Sequence, residues 1–229
     1  MSYVEKICPK CNGTRVVLRK TSNGIVFDDC SCVAQDAWEY KLKLSNVPEK
    51  YRNFKLHDLS DDFLDENEEF INIVLDYMEH LPTRIKEGKG LFFQSDPGLA
   101  KSSLAALIVK RALEFNFTCY MGRMSRYISF KFEALRNPEI KDFIDKLVLD
   151  VDLLVIEEIE KVYMVGDADA MTEILVSEFF GELYDNKKPL IITSNLPRGD
   201  LGKLPSHLLD RFDEMITDIV FVGESFRKK

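Results

Sequence analysis

Three groups of residues have the types and spacing to do chemistry. The first is Ser95-Asp96-Pro97-Gly98-Leu99-Ala100-Lys101-Ser102, which follows an apolar run and opens a helical pattern. It matches G-x-x-x-x-G-K-[ST] imperfectly, a loop whose backbone N–H groups and following helix N-terminus hold polyphosphate. In that arrangement Lys101 reaches the β and γ phosphates and the Ser102 hydroxyl ligates Mg²⁺, which makes residues Ser95 to Ser103 candidate contacts to ATP or ADP. Ser95 and Ala100 occupy the two glycine positions, while Gly98 keeps a glycine at the centre. If Ala100 sits at positive φ, a strain of about 1–2 kcal/mol follows; at negative φ little is lost.

The second group lies at the ends of two apolar runs. Asp152-Leu153-Leu154-Val155-Ile156-Glu157-Glu158 is a buried-strand pattern closed by two carboxylates, a place where ligands bind in open parallel sheets. Glu157 is the candidate for the magnesium shell and Glu158 for the base that polarises an attacking water. Glu157 is one methylene longer than the aspartate more usual there, a change to which the strict geometry of Mg²⁺ is sensitive. Asn195 ends Leu190-Ile191-Ile192-Thr193-Ser194 and either bonds the water or the γ-phosphate, or turns the chain before Pro197. Arg211, in Leu208-Leu209-Asp210-Arg211-Phe212, could meet a neighbouring subunit's phosphate or make a surface ion pair, and Arg227 near the end poses the same choice.

The third group is Cys8-Pro9-Lys10-Cys11 with Cys30-Ser31-Cys32. Two close pairs of thiolates suit tetrahedral Zn²⁺. An iron–sulfur cluster, or a redox dithiol at Cys8 and Cys11, is the competing reading. A four-thiolate site leaves no open coordination position, so its role is structural or in partner recognition. Thr14–Arg19 and Ile25–Asp28 read as a small hairpin, and metal ligation supplies the stability so small a core lacks. Cys119, within a strand pattern, reads as a small buried hydrophobe.

The elements that position these groups follow from periodicity. Apolar runs at 91–94, 118–121, 153–156, 190–193 and 219–222 alternate with helical patterns at 101–115, 125–135, 168–186 and 205–215. That order predicts an α/β fold, a parallel five-stranded sheet between helices. An amphipathic helix is expected over 61–81, ending before Pro82. We therefore divide the chain into a zinc-binding module (1–45), a linker (46–60) punctuated by Pro48, and a nucleotide-binding domain (61–229).

In 229 residues, 31 basic against 39 acidic side chains leave a net charge of −8, against the sign expected of a protein that coats nucleic acid. Contact with DNA should therefore be local or shared among subunits. Neither a membrane-length apolar stretch nor a signal-peptide pattern is present, and the cysteines fit a reducing compartment, so a cytoplasmic location is expected.

Together these motifs resemble the bacterial replicative helicase loaders of the DnaC/DnaI type and the related IstB transposition helpers. The resemblance spans nearly the whole chain. It rests on Val47-Pro48-Glu49-Lys50-Tyr51-Arg52-Asn53-Phe54 ahead of the core and Gly90-Leu91-Phe92-Phe93 before the phosphate loop. It extends to Leu153–Glu158, the Ile192-Thr193-Ser194-Asn195-Leu196 strand tip, Leu209-Asp210-Arg211-Phe212, and Gly223-Glu224-Ser225-Phe226-Arg227. It implies an AAA+ ATPase core without a C-terminal lid, Asn195 as a sensor, Arg211 as an arginine finger and Arg227 in a second sensor role. It also implies assembly into a homo-oligomer that engages a hexameric replicative helicase and single-stranded DNA, in a bacterial or phage-infected cell. The cysteine region is similar to the zinc-binding domain of the DnaI branch. Ser95, Ala100 and Glu157 depart from the family pattern and bear on hydrolysis more than on binding. A weak ATPase, a non-hydrolysing nucleotide-binding adaptor and an IstB-like helper are the three functions that follow.

Overall fold

The computed structural model describes residues 8–22, 24–134, 137, 139, 150–164, 170–201 and 206–226. The chain forms two compact units, Met1–Leu44 and Ser45–Lys229.

The first unit holds an antiparallel hairpin, β1 (Val16–Thr21) and β2 (Gly24–Asp29), followed by helix α1 (Ser31–Leu44). The hairpin lies within two residues of the sequence expectation. Its apolar side chains are largely uncovered: Leu18, Ile25 and Phe27 are 66%, 59% and 72% exposed. Helix α1 was not foreseen from the sequence. It starts directly after Cys30, so Cys32 lies in its first turn, and Lys41 and Lys43 complement the dipole of its last turn.

In the second unit the segment read as a linker carries helix α2 (Glu49–Arg52) and a 3₁₀ turn (Leu56–Asp58), and it groups with the rest of Ser45–Lys229. It is fastened there by Lys110, whose ammonium donates to the carbonyls of Arg52 and Phe54. The helix expected over 61–81 is three helices: α3 (Asp61–Glu66), α4 (Glu68–Glu79) and α5 (Leu81–Glu87). The first break falls at Asn67, which is 1% exposed. Its side chain donates to the carbonyl of Val222 at 2.9 Å and accepts from the N–H of Val222 at 2.8 Å, so one buried amide holds a distant segment. Pro82 does not end the second break; it sits in the first turn of α5, where its missing N–H costs nothing.

Five parallel strands follow: β3 (Gly90–Gln94), β4 (Cys119–Arg123), β5 (Leu153–Glu157), β6 (Leu190–Ser194) and β7 (Ile216–Val220). Their order across the sheet is β4-β5-β6-β3-β7. Helices α6 (Lys101–Glu114), α7 (Met124–Ala134), α8 (Lys161–Met164), α9 (Ala170–Asp185) and α10 (Ser206–Met215) cover it. β5 and β6 are buried along their whole length, as strands covered on both faces must be. Phe92, Leu154, Ile156 and Ile192 pack with Tyr127, Phe179, Phe180 and Phe212 in one core layer. β3 and β6 are in close contact at Gly90, where a Cβ would come within 2.0 Å of the Leu190 carbonyl oxygen. This is the parallel α/β sheet expected, and it brings the ends of β3, β5 and β6 side by side.

No described helix is long and apolar enough to cross a membrane.

Candidate nucleotide site

The loop from Ser95 to Ala100 joins β3 to α6, with Lys101 as the first residue of the helix. Gly98 has φ 95° and Ala100 φ 54°. Ala100 therefore adopts the strained alternative, a left-handed conformation that its Cβ disfavours. The conformation turns the chain so that Lys101, 8% exposed, points back into its own loop. The Lys101 ammonium donates to the Ser95 carbonyl (2.7 Å), the Ser95 hydroxyl (2.8 Å), the Asp96 carbonyl (3.0 Å) and Asn195 Oδ1 (3.0 Å). Ser95, standing in a glycine position, thus gives the lysine a hydroxyl partner. From the C-terminal side, the Phe226 N–H donates to the Gly98 carbonyl at 3.1 Å. Arg227, the next residue, lies outside the described residues.

Glu157 ends β5, 9% exposed. Burial pushes its pKa up, the nearby Ser102 hydroxyl counteracts this, and the charge of Glu158 adds to the rise. A carboxylate with a hydroxyl near it beside a phosphate loop suits Mg²⁺, and a divalent cation there would reverse the burial effect.

Glu158 has turned elsewhere. Its backbone sits at φ 55°, with its N–H donating to Thr193 Oγ1 at 3.1 Å. Its carboxylate forms ion pairs with Lys161 (2.7 Å) and Arg123 (3.2 Å), while Oε2 lacks a hydrogen-bond partner among the described residues. The contact with Arg123 is therefore an ion pair without hydrogen-bond geometry.

Asn195, at the tip of β6, bridges Lys101 and Glu160: its Nδ2 donates to Glu160 Oε1. Arg211 is remote from this cluster. Its guanidinium lies 4.7 Å from the centre of the Tyr184 ring.

A cavity of about 570 Å³ opens over these groups, lined by residues 97–103, Glu158, Glu160, Lys161, Thr193, Ser194 and Asn195. Its other walls are Lys50, Tyr51, Phe54, Asp58, Leu59 and Phe226. Of the expected residues, the structure gathers the phosphate loop, Glu157, Glu158 and Asn195, and leaves Arg211 apart. Sequence reasoning did not single out Glu160, Arg123 or the aromatic wall. Their only signal was position: Glu160 follows the acidic pair by two residues, and Tyr51 and Phe54 fall in the segment preceding the core.

In the first unit, the Sγ atoms of Cys8, Cys11, Cys30 and Cys32 all lie within 4.8 Å of one another, and none is in a disulfide. Cys8 and Cys30 are 3.8 Å apart and Cys11 and Cys32 3.7 Å. Tetrahedral Zn–S bonds of 2.3 Å place sulfurs about 3.8 Å apart, so the cluster fits Zn²⁺. Backbone N–H groups of Cys11 and Lys10 hold the Cys8 thiol down to about 7, while burial pushes Cys32 up to about 12.

A phosphate loop after the first of five parallel strands, with acidic and polar tips on the strands beside it, is a fold that this chain shares with solved structures of helicase loaders and replication initiators. The DnaC helicase loader structure superposes with a TM-score of 0.63 at 21% identity, covering 76% of this chain and all of that one. DnaI matches at 0.62 and 16% identity, covering 76% of this chain and 94% of that one. A structure of the replication initiator DnaA bound to AMPPCP and single-stranded DNA matches at 0.61 and 18% identity, covering 78% of this chain and 51% of that one. In sequence, the chromosomal replication initiator protein DnaA of Thermosipho melanesiensis is 26% identical over 124 residues, 53% of this chain and 28% of the relative. The chain thus spans under a third of that curated relative's length. No protein-family model matches the chain.

Proposed function

We propose that this chain is an ATP-dependent helicase loader, which binds a hexameric replicative helicase and helps place it on single-stranded DNA during replication. The observation that carries the reading is the convergence of Lys101, Ser102 and Asn195 on one cavity of a DnaC-like fold, with Glu157 near Ser102 at the end of β5. In it, the triphosphate lies along residues 95–103, displacing the contacts that Lys101 makes to its own loop, and Tyr51 and Phe54 flank the base. Ser102 and Glu157 hold Mg²⁺, which offsets charge on the β and γ phosphates.

Glu158 serves as base only after leaving Lys161 and Arg123. Helicase or DNA binding supplies that release in the loader reading, which therefore predicts a slow ATPase for the protein alone. Arg211, stacked on Tyr184 away from the chain's own cavity, acts on a neighbouring copy's nucleotide within a homo-oligomer, and Arg227 takes the second sensor role that the family resemblance implies. The four cysteines hold Zn²⁺, which folds the module that contacts the helicase.

The ion pairing of Glu158 also favours a second reading, an adaptor that binds nucleotide without hydrolysing it. Both readings are tested by purifying the intact protein with cognate replicative helicase and measuring phosphate release with single-stranded DNA present. A stable complex whose ATPase exceeds that of Lys101→Ala supports the loader. A stable complex with identical rates supports the adaptor, and failure of every cognate helicase to bind ends both.

A further inference from the structure

Glu160 has no part in the function proposed above. It stands in the loop between β5 and α8, is 1% exposed, and lines the phosphate end of the cavity. A carboxylate so placed is costly to bury without hydrogen-bond partners. Oε1 has one, the Asn195 amide, and Oε2 has none among the described residues.

The same amide is held from its other end, where Lys101 Nζ donates to Oδ1 at 3.0 Å. An ammonium only donates and a carboxylate only accepts, so the two partners fix the orientation of the amide. Its nitrogen faces Glu160 and its oxygen faces the phosphate loop. When Lys101 turns to a bound phosphate, Oδ1 loses its partner. An Asn195 released on both sides would then flip, because the phosphate's charge draws its NH₂ donors. Glu160 opposes that flip.

We propose that Glu160 is a positioning residue for ATP hydrolysis: it keeps Nδ2 of Asn195 turned away from the γ-phosphate, so that Oδ1 accepts a hydrogen bond from the attacking water. This rests on the nucleotide reading of the cavity. In the step it serves, the water oxygen bonds to the γ-phosphorus and the bond from phosphorus to the β–γ bridging oxygen breaks. That bond's electron pair leaves with ADP. One water proton passes to the Glu158 carboxylate, and the other stays on the new phosphate, having been directed at Asn195 Oδ1. The amide is an acceptor here and takes no proton.

The test is single-turnover hydrolysis of ATP with Mg²⁺ by the intact protein, with cognate replicative helicase and single-stranded DNA present to release Glu158, and with affinity measured separately by a fluorescent ATP analogue. Glu160→Gln can satisfy Asn195 in either orientation, so it should slow hydrolysis about tenfold while the analogue's Kd changes less than about twofold. Adding Glu160→Gln to Asn195→Ala should cost nothing further. A reciprocal exchange guards against a variant that merely misfolds. Asn195→Asp alone sets two carboxylates together and should lose hydrolysis. Combined with Glu160→Gln, it should recover most of the rate, because the amide then donates from position 160 and a carboxylate oxygen still faces the water.

The proposal is overturned if Glu160→Gln hydrolyses at the wild-type rate, if the losses of Glu160→Gln and Asn195→Ala multiply, or if the exchange recovers nothing. It is also overturned if the wild type binds ATP yet releases phosphate no faster than Lys101→Ala, an outcome that leaves nucleotide binding intact. Failure to bind ATP at all removes the nucleotide reading itself.

Discussion

The two units solve the problem of placing ligand atoms in opposite ways. In residues 8–44 the sulfurs are gathered at metal-binding distances while the hairpin beside them leaves Leu18, Ile25 and Phe27 exposed. In residues 45–226 the phosphate loop, Glu158, Glu160 and Asn195 follow directly on β3, β5 and β6, whose own residues are almost wholly buried. The cysteine unit has candidate ligands and little core, so a bound ion would do the work of a core. The nucleotide unit has its core first, and its site is already shaped by hydrogen bonds that a ligand must replace.

The sharpest way to break this comparison is to remove the metal. A strong chelator, or Cys11→Ser, should unfold residues 8–44, since structural zinc typically contributes about 10–16 kcal/mol in small modules. The core's melting transition should stay in place. Limited proteolysis with mass spectrometry reads both outcomes, and a hairpin that survives chelation would show that the first unit has a core of its own.

Next in size is Lys101→Ala. It removes the cation from the phosphate loop and frees Ser95 and Asn195 from their bond to it. ATP affinity should fall about a hundredfold, the scale of two charge-assisted hydrogen bonds, and the thermal stabilisation that ATP gives should nearly vanish. Unchanged ATP stabilisation would mean that the cavity does not hold phosphate at this end.

Glu157→Gln should separate stability from function. The folded protein raises the Glu157 pKa, chiefly by burial. It therefore binds more protons than the unfolded chain as pH climbs out of the ordinary carboxylate range, and stability declines through that window. Above that window the buried carboxylate costs stability that a neutral amide does not. The variant should melt higher than wild type without ligand at pH 7, lose that advantage at pH 4, and bind ATP with weaker dependence on Mg²⁺. Melting curves at the two pH values check the sign.

The smallest effect is Ala100→Gly. A left-handed alanine at φ 54° stores strain that glycine does not, so the change should stabilise the protein by about 1 kcal/mol in denaturant melts. The loop geometry should be retained, with ATP affinity equal or better.

How much of this was legible beforehand follows the same division. The five strands fall within about three residues of their expected places, because continuous apolar runs bounded by loops leave little freedom in a sheet covered on both faces. The phosphate loop, Glu157 and the cysteine pairs were legible because their chemistry demands fixed local spacing. The break at Asn67 was not, since its cause is Val222, a residue far along the chain. Pro82 looked like a stop and proved to be a start, and nothing local distinguishes the two when the preceding helix ends at Glu79. Residues 46–60 looked like a linker because what holds them is Lys110, on α6. Ala100 was legible as a question whose answer needed the backbone. Glu160 escaped notice because its meaning lies in a partner on another strand, Asn195.

The central claim is that Lys101, Ser102 and Glu157 together hold a magnesium-bound triphosphate. Calorimetric titration of ATP into the intact protein, with and without Mg²⁺, for wild type and Ser102→Ala, tests it most directly. Binding that tightens with Mg²⁺ in the wild type and loses that dependence in Ser102→Ala is the expected result. Absence of ATP binding, or wild-type binding indifferent to Mg²⁺, would contradict it.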